Sequence, residues 1–292
     1  MQQRVLLFSM RGRREAAECW RSAFSGAKPM SGAPVLHSLD ERGVATVTLN
    51  RPEVNNAYND DVIQGLLSAM DALSAKPQLR VVVLKGNGRH FQAGADLAWV
   101  RGIATASKQE NLRASRATAE AVDRLNRLPV PTVALVQGGC FGGGTGIVAA
   151  CDVVIAADNA QFSITEVRWG LTAAIIIPQL ADAISVRQLR RYALTGERFG
   201  AAEAVRIGLA HMSVPAERLA AAGEEMVGRL LENGPIAMAE TKTTILESAW
   251  GGFDRTTFDA LVKSHAAKRQ TPEAAEGLAS FAEKRAAKWS RK

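Results

Sequence analysis

Only three of the 292 residues are cysteine, Cys19, Cys140 and Cys151. They are too few and too scattered for a disulfide scaffold or a C-x-x-C metal site, and an odd count suits a reducing compartment such as the cytoplasm. No bound metal is expected. Aromatic residues are 5% of the chain, whereas a nucleic-acid reader would interleave them with its basic residues. No apolar run approaches the length of a membrane span, and Val5-Leu6-Leu7-Phe8 is too short to be the core of a secretion signal. The histidines His37, His90, His211 and His265 have no partner at ligand or triad spacing.

What is present is ample for a folded core: 47% hydrophobic and 22% charged residues, with no low-complexity stretch. Much of the formal charge of +7 sits in Arg11, Arg13 and Arg14 and in the tail from Lys284 to Lys292. Solvated ends account for it more simply than a nucleic-acid surface does. A field of that sign also suits a ligand carrying several phosphates.

Residues 1–31 are Arg-rich, lack a clean period and are set apart from the fold. Met30 directly precedes the segment that leads into the first strand, so the upstream residues read as an appended extension or misassigned start. An organelle presequence is the second reading, weakened by Glu15, Glu18 and the scarcity of serine. From there to about residue 215 strands and helices alternate, and residues 216–292 read as helical throughout.

Val35 to Leu39 and Val44 to Leu49 alternate around Glu41-Arg42-Gly43 as a hairpin. Asn59-Asp60-Asp61 can cap a helix carrying Val62, Ile63, Leu66, Leu67, Met70 and Leu73 at helical spacing. Val81 to Leu84, Pro131 to Val136 and Asp152 to Ala157 read as buried strands, with a polar-rich helix over about Gln109 to Leu128. Gln161 to Ile164 and His211 to Val214 are shorter strands. Later helices are read from Ser185 to Leu194, Ala201 to Ile207, Ala216 to Leu231, Pro235 to Glu247, Phe253 to about Lys268, and from Thr271-Pro272 onward.

The stretch Gly138-Gly139-Cys140-Phe141-Gly142-Gly143-Gly144-Thr145-Gly146 falls where a strand gives way to a helix. Glycine there lets backbone approach a ligand closely and leaves N–H groups pointing at it. Gly144-Thr145-Gly146-Ile147-Val148-Ala149 also fits the G-x-G-x-x-A dinucleotide pattern, with Asp158 ending the next apolar run. Only Ile147 to Cys151 separate it from the next strand, too few for the crossover helix of a dinucleotide fold. About two dozen residues on lies Glu166, a carboxylate preceded by an uncharged, partly apolar run. Backbone donors beside a sheltered carboxylate make a usable reaction centre.

A second strand, Arg80 to Gly86, delivers another small-residue loop, Phe91-Gln92-Ala93-Gly94-Ala95-Asp96-Leu97. Together with Leu49-Asn50-Arg51-Pro52-Glu53-Val54-Asn55-Asn56-Ala57 upstream and the Glu276-Gly277 to Arg285 stretch downstream, the set resembles the crotonase (enoyl-CoA hydratase/isomerase) superfamily over about residues 33 to 289. Four motifs in consistent order are far more specific than any one. Ala95-Asp96-Leu97-Ala98-Trp99 and Thr165-Glu166-Val167-Arg168 look closest to the methylglutaconyl-CoA and carboxygeranoyl-CoA hydratase branch.

The resemblance implies an α/β fold, a crotonase-like spiral of ββα units over residues 32–215, with an all-helical C-terminal trimerisation region over residues 216–292. It also implies homo-trimers, commonly paired into hexamers; Thr241, Thr244, Ile245, Phe258 and Leu261 read equally as contact positions there or as ordinary intramolecular core. It implies that a coenzyme A thioester is the substrate and that no separate cofactor is needed. The backbone N–H groups of Ala95 and Gly143 would hold the enolate oxygen, and Glu166 would move the proton. Coenzyme A would lie against the segments holding Val54, Asn56 and Ala57 and Ala95 to Ala98, beside Gly142, with Lys284 available to a phosphate. Trp99 is a possible acyl-pocket wall, and Arg168, or Arg101, a partner for a distal carboxylate.

Two features bear on the reaction and the acyl chain. The family's hydratases use two glutamates, and the first falls on Gly146. A single carboxylate can serve syn hydration, or it can shuttle a proton as a Δ3,Δ2-enoyl-CoA isomerase does. A relative that binds acyl-CoA or RNA without catalysis is the alternative outside these classes. Thr172-Ala173-Ala174-Ile175-Ile176-Ile177-Pro178 stands where many relatives have a glycine-rich turn, and its bulky apolar residues favour a branched or extended acyl group, at roughly 0.8 kcal/mol per buried methylene.

Overall fold

The alternating segments form an antiparallel hairpin, β1 (Val35–Leu39) and β2 (Val44–Leu49), at one end of a six-stranded sheet. The computed structural model describes residues 32–251, 256, 271–283 and 285–289. β3 (Val81–Gly86), β4 (Thr132–Val136), β6 (Val153–Ala157) and β9 (Met212–Val214) follow in the order β1-β2-β3-β4-β6-β9, parallel from β2 onward. Parallel neighbours need crossovers. α1 (Asp60–Ser74) makes the first, and α2 (Leu97–Thr105) with α3 (Lys108–Asn126) the second. Asn59 caps α1 by accepting from the Val62 N–H at 3.1 Å, and the six apolar positions read from helical spacing are all buried.

A second, three-stranded sheet runs β5 (Gly139–Phe141), β7 (Gln161–Ser163) and β8 (Phe199–Gly200). The chain repeatedly lays one strand in the large sheet, one short strand in the small sheet, and then a helix. β4 and β5 precede α4 (Gly143–Ala149), and β6 and β7 precede α5 (Ile177–Thr195). After β3, Gln92 makes an isolated bridge to Cys140 before α2. This is the ββα spiral.

Side chains of the large sheet alternate between two cores. Val82 and Leu84 of β3 face the cluster that includes α1 and α3 residues, whereas Val81 and Val83 face Ala222, Val227 and Leu231 of α7 (Leu219–Leu231). α6 (Ala201–Ile207) ends at Gly208 as its sequence indicates. α8 (Pro235–Gly251) and α9 (Pro272–Ala282) complete the described C-terminal helices. None of the described helices is long and apolar enough to cross a membrane.

The structure corrects several boundaries. β5 intervenes between β4 and α4, because the glycine-rich stretch pairs with β7 before turning into the helix. The helix expected from Ser185 is only the second half of α5, which begins at Ile177 with a proline in its first turn. Ser185, at φ 62° and ψ 154°, breaks α5 in two. Residues 216–218 form a 3-10 turn before α7, and α8 continues past Glu247 to Gly251. Residues 1–31, the helix read from Phe253 to Lys268 with Phe258 and Leu261, and Lys284 lie outside the described residues.

Candidate active site

Three loops are stitched together by backbone hydrogen bonds. Asn55 C=O accepts from Ala93 N–H at 3.0 Å, and Gly94 C=O accepts from Tyr58 N–H at 2.9 Å. Tyr58 C=O in turn accepts from Asp96 N–H at 2.8 Å. Gln92 joins this pair to the glycine-rich loop, donating from its N–H to Gly139 C=O and accepting from Phe141 N–H. Gly142 N–H donates to Ser163 C=O at 2.9 Å, tying the same loop to β7 and the residues before Glu166. The N–H groups of Ala95 and Gly143 take no part in this set of bonds.

Both residues line a cavity of about 420 Å³, and so does Glu166. Gly143 opens α4, so its N–H lies at the positive end of a short helix. Gly142 holds φ 52° and ψ −126°, a conformation that disfavours any Cβ. A Cβ there would also sit 3.2 Å from Glu166 Oε1. The carboxylate therefore rests directly against the donor loop.

Glu166 starts a short 3-10 turn, Glu166–Trp169, that ends at Gly170. Its Oε2 is buried with no hydrogen-bond partner among the described residues. Burial raises its pKa above the ordinary glutamate range, opposed in part by the backbone N–H groups of Glu166 and Thr165. An under-solvated carboxylate at an apolar wall can accept a proton and give it back.

That wall comes from several elements. Val62, Ile63 and Leu66 of α1 contribute, as do Val100, Val122 and Ile147. Leu171, Thr172, Ala173, Ile175 and Ile176 close it from the segment that leads into α5. Ile176 also occupies the room beside Gly146: a Cβ on Gly146 would lie 2.2 Å from Ile176 Cγ2 and 2.5 Å from its Cβ. The space beside Gly146, where the resemblance would put a first glutamate, is thus filled by a neighbouring apolar side chain.

Other sequence-predicted residues are held around the site. Leu97 lines the cavity, while Ala98 is exposed. Asp96 caps α2 by accepting from the N–H groups of Ala98 at 3.0 Å and Trp99 at 3.4 Å, and it pairs with Arg51 at 3.3 Å. Asn56, buried at φ 56°, accepts from Arg51 N–H and donates to the carbonyls of Asn87 and His90, fixing the loop on which Val54 and Ala57 are buried. Trp99 packs edge-on against Tyr58, centroids 5.6 Å apart, behind the cavity lining. Arg168 is exposed and lies over Gly196, and Arg101 is exposed on α2; neither is among the lining residues. Among the described residues no three His, Cys, Asp or Glu side chains are grouped as a metal would require.

The sequence reading did not single out Tyr58. A Cβ on Gly143 would sit 2.7 Å from its Cε1 and 3.2 Å from its hydroxyl oxygen. Its place directly after Asn56-Ala57 was the available signal. Burial, and then the Glu166 charge, push its pKa above the ordinary tyrosine value.

A two-sheet ββα spiral with free backbone donors and a carboxylate in one cavity defines a crotonase-type protein. A solved enoyl-CoA hydratase from Shewanella pealeana has this fold, with a TM-score of 0.84 and 34% identity over 88% of this chain and 96% of its own. The chain belongs to the enoyl-CoA hydratase/isomerase family, whose model matches residues 40–292. A hydroxycinnamoyl-CoA hydratase-lyase of Pseudomonas fluorescens is 35% identical, covering 69% of this chain and 74% of that protein. A mitochondrial Δ(3,5)-Δ(2,4)-dienoyl-CoA isomerase of Dictyostelium discoideum is 27% identical, covering 86% and 88%. The chain is therefore an enzyme of the hydratase/isomerase type.

Proposed function

We propose that the protein hydrates a 2-enoyl-CoA thioester carrying a branched or extended acyl chain, as in the methylglutaconyl-CoA type of substrate. The observation that carries this reading is that Ala95, Gly143 and Glu166 line one apolar cavity together. When water adds to C3, negative charge moves onto the thioester oxygen. Two preorganised N–H donors stabilise that charge, and each such donor is worth about a hundred- to a thousand-fold in rate. Glu166 takes a proton from the water and delivers it to C2. The thioester is itself the substrate, so the reaction requires no separate cofactor.

The bulky residues 171–176 support a branched chain, whose added methyl groups gain contact with such a wall. No Lys or Arg is among the described lining residues, so a carboxylated chain would have to reach past them to Arg101 or Arg168. The isomerase reading is favoured by one observation, the lack of an acid at Gly146. In the same reading the protein works as a trimer or hexamer in the cytoplasm. Ile245, exposed on α8, would be an inter-subunit contact, and the buried free thiols of Cys140 and Cys151 suit a reducing compartment.

The test is a kcat/KM panel of crotonyl-, 3-methylcrotonyl-, 3-methylglutaconyl- and longer carboxylated enoyl-CoA esters, following loss of conjugated absorbance. The branched esters are expected to lead. A preference for crotonyl-CoA would overturn the acyl assignment, and a 3-enoyl-CoA gaining conjugation without taking up water would favour the isomerase.

A further inference from the structure

With Ile176 in the space beside Gly146, no second carboxylate can approach from α4, and the reacting water needs another anchor. A water held by Glu166 alone would be free to swing, and positioning of reacting atoms carries much of an enzyme's advantage. Thr165 is the chain neighbour of Glu166 and approaches the same residue, its Oγ1 lying 3.3 Å from a Cβ built on Gly142. Tyr58 comes from a different element, the loop between β2 and α1, and its hydroxyl oxygen lies 3.2 Å from a Cβ built on Gly143, while the Glu166 carboxylate lies 3.2 Å from one built on Gly142. The two oxygens flank consecutive residues of the donor loop, and both residues line the cavity.

We propose that the Tyr58 hydroxyl holds the water that adds to the acyl chain, doing from the β2–α1 loop what a second acid would do from position 146. The proposal rests on the hydratase reading. The hydroxyl makes no hydrogen bond to any described residue, although the Tyr58 backbone is bonded on both sides, to Gly94 and Asp96. The ring is braced by Trp99. A fixed ring thus presents a free hydroxyl, which can both donate and accept. Its raised pKa keeps it protonated at neutral pH, so it orients the water without removing a proton from it. In the step itself the water oxygen bonds to C3 and one water proton passes to Glu166. The C2–C3 π pair, held as the enolate, becomes the new C2–H bond when Glu166 returns that proton. Tyr58 ends with the proton it began with.

Tyr58→Phe keeps the ring over Gly143 and against Trp99 and removes only the oxygen. Two readouts are compared with wild type: hydration kinetics on the best ester of the panel, and the red shift of bound 4-dimethylaminocinnamoyl-CoA, which reports polarisation of the thioester by the backbone donors. The expected result is a loss of about 10- to 100-fold in kcat, the worth of one hydrogen bond in the transition state, with KM within about threefold and the red shift unchanged. Retained kcat would overturn the proposal. So would a red shift that falls along with the rate, because Tyr58 would then act through the donors and not on the water. Failure of the wild type to hydrate any ester would instead remove the hydratase reading itself.

Discussion

The two sides of the cavity are built in opposite ways. The donor side is backbone: residues 55–58, 92–96 and 139–143 are bound to one another by main-chain hydrogen bonds, and the residues read as donors, Ala95 and Gly143, are small. The acyl side is side chain: residues 166–176 run through two short 3-10 turns, and Leu171 and Ile175 are exposed beside the cavity they line. A backbone-bonded donor site stays rigid while the chemistry it serves is the same for every thioester. A wall of side chains on short turns can be changed without disturbing the donors. On the proposed reading, reaction type and substrate choice are carried by different residues, with Glu166 at the seam.

Glu166→Gln tests that seam and is expected to have the largest effect. Removing a positioned acid–base group should cost about 10²- to 10⁴-fold in kcat. Affinity for coenzyme A should stay within a few-fold, because the carboxylate acts on the reacting carbons. Full activity in this variant would dissolve the site. In the wild type the acid limb of the kcat profile, where the ionised carboxylate is lost, should lie above the ordinary glutamate range, since burial raises this pKa. The stability linkage has the matching sign. A carboxyl with a raised folded-state pKa favours the folded state below its unfolded pKa and loses that contribution as pH rises through the folded value. Glu166→Gln should therefore raise Tm more at pH 8 than at pH 4.5, and thermal melts at the two values read this directly.

Gly146→Ala should show the smaller effect and fall on the other side of the comparison. Its methyl would meet buried Ile176 at close range, and overpacking of this kind typically costs about 1–3 kcal/mol. Stability in denaturant should drop by that amount, with kcat lowered less than by Glu166→Gln. Restoring an acid by Gly146→Glu alone is expected to fail for the same reason, and pairing it with Ile176→Gly is the variant with room. Unchanged stability in Gly146→Ala would mean that Ile176 does not occupy the position of the first glutamate.

The donor side was largely legible in the sequence because its signals are local. Small residues after a strand mark Ala95 and Gly143, and both line one cavity with Glu166. The hairpin, α1 and α6 were legible for the same reason, through alternation, a cap and a terminal glycine. β5 was hidden because its three residues sit inside a glycine run whose pairing with β7 is non-local. Tyr58, and the contact of the expected wall residue Ile176 with Gly146, were missed because they depend on what these side chains touch across the fold: Gly143, 85 positions later than Tyr58 in the numbering, and Gly146, 30 positions before Ile176. The first half of α5 was obscured by the apolar run before Pro178, which carries no helical period.

The most direct measurement is turnover of a conjugated 3-methyl-branched enoyl-CoA by the wild-type protein in ¹⁸O-labelled water, with mass analysis of the acyl product. Hydration in this cavity is expected to give a 3-hydroxyacyl-CoA carrying one solvent oxygen at C3. A product with no solvent oxygen, or a double bond merely moved along the chain, would contradict it.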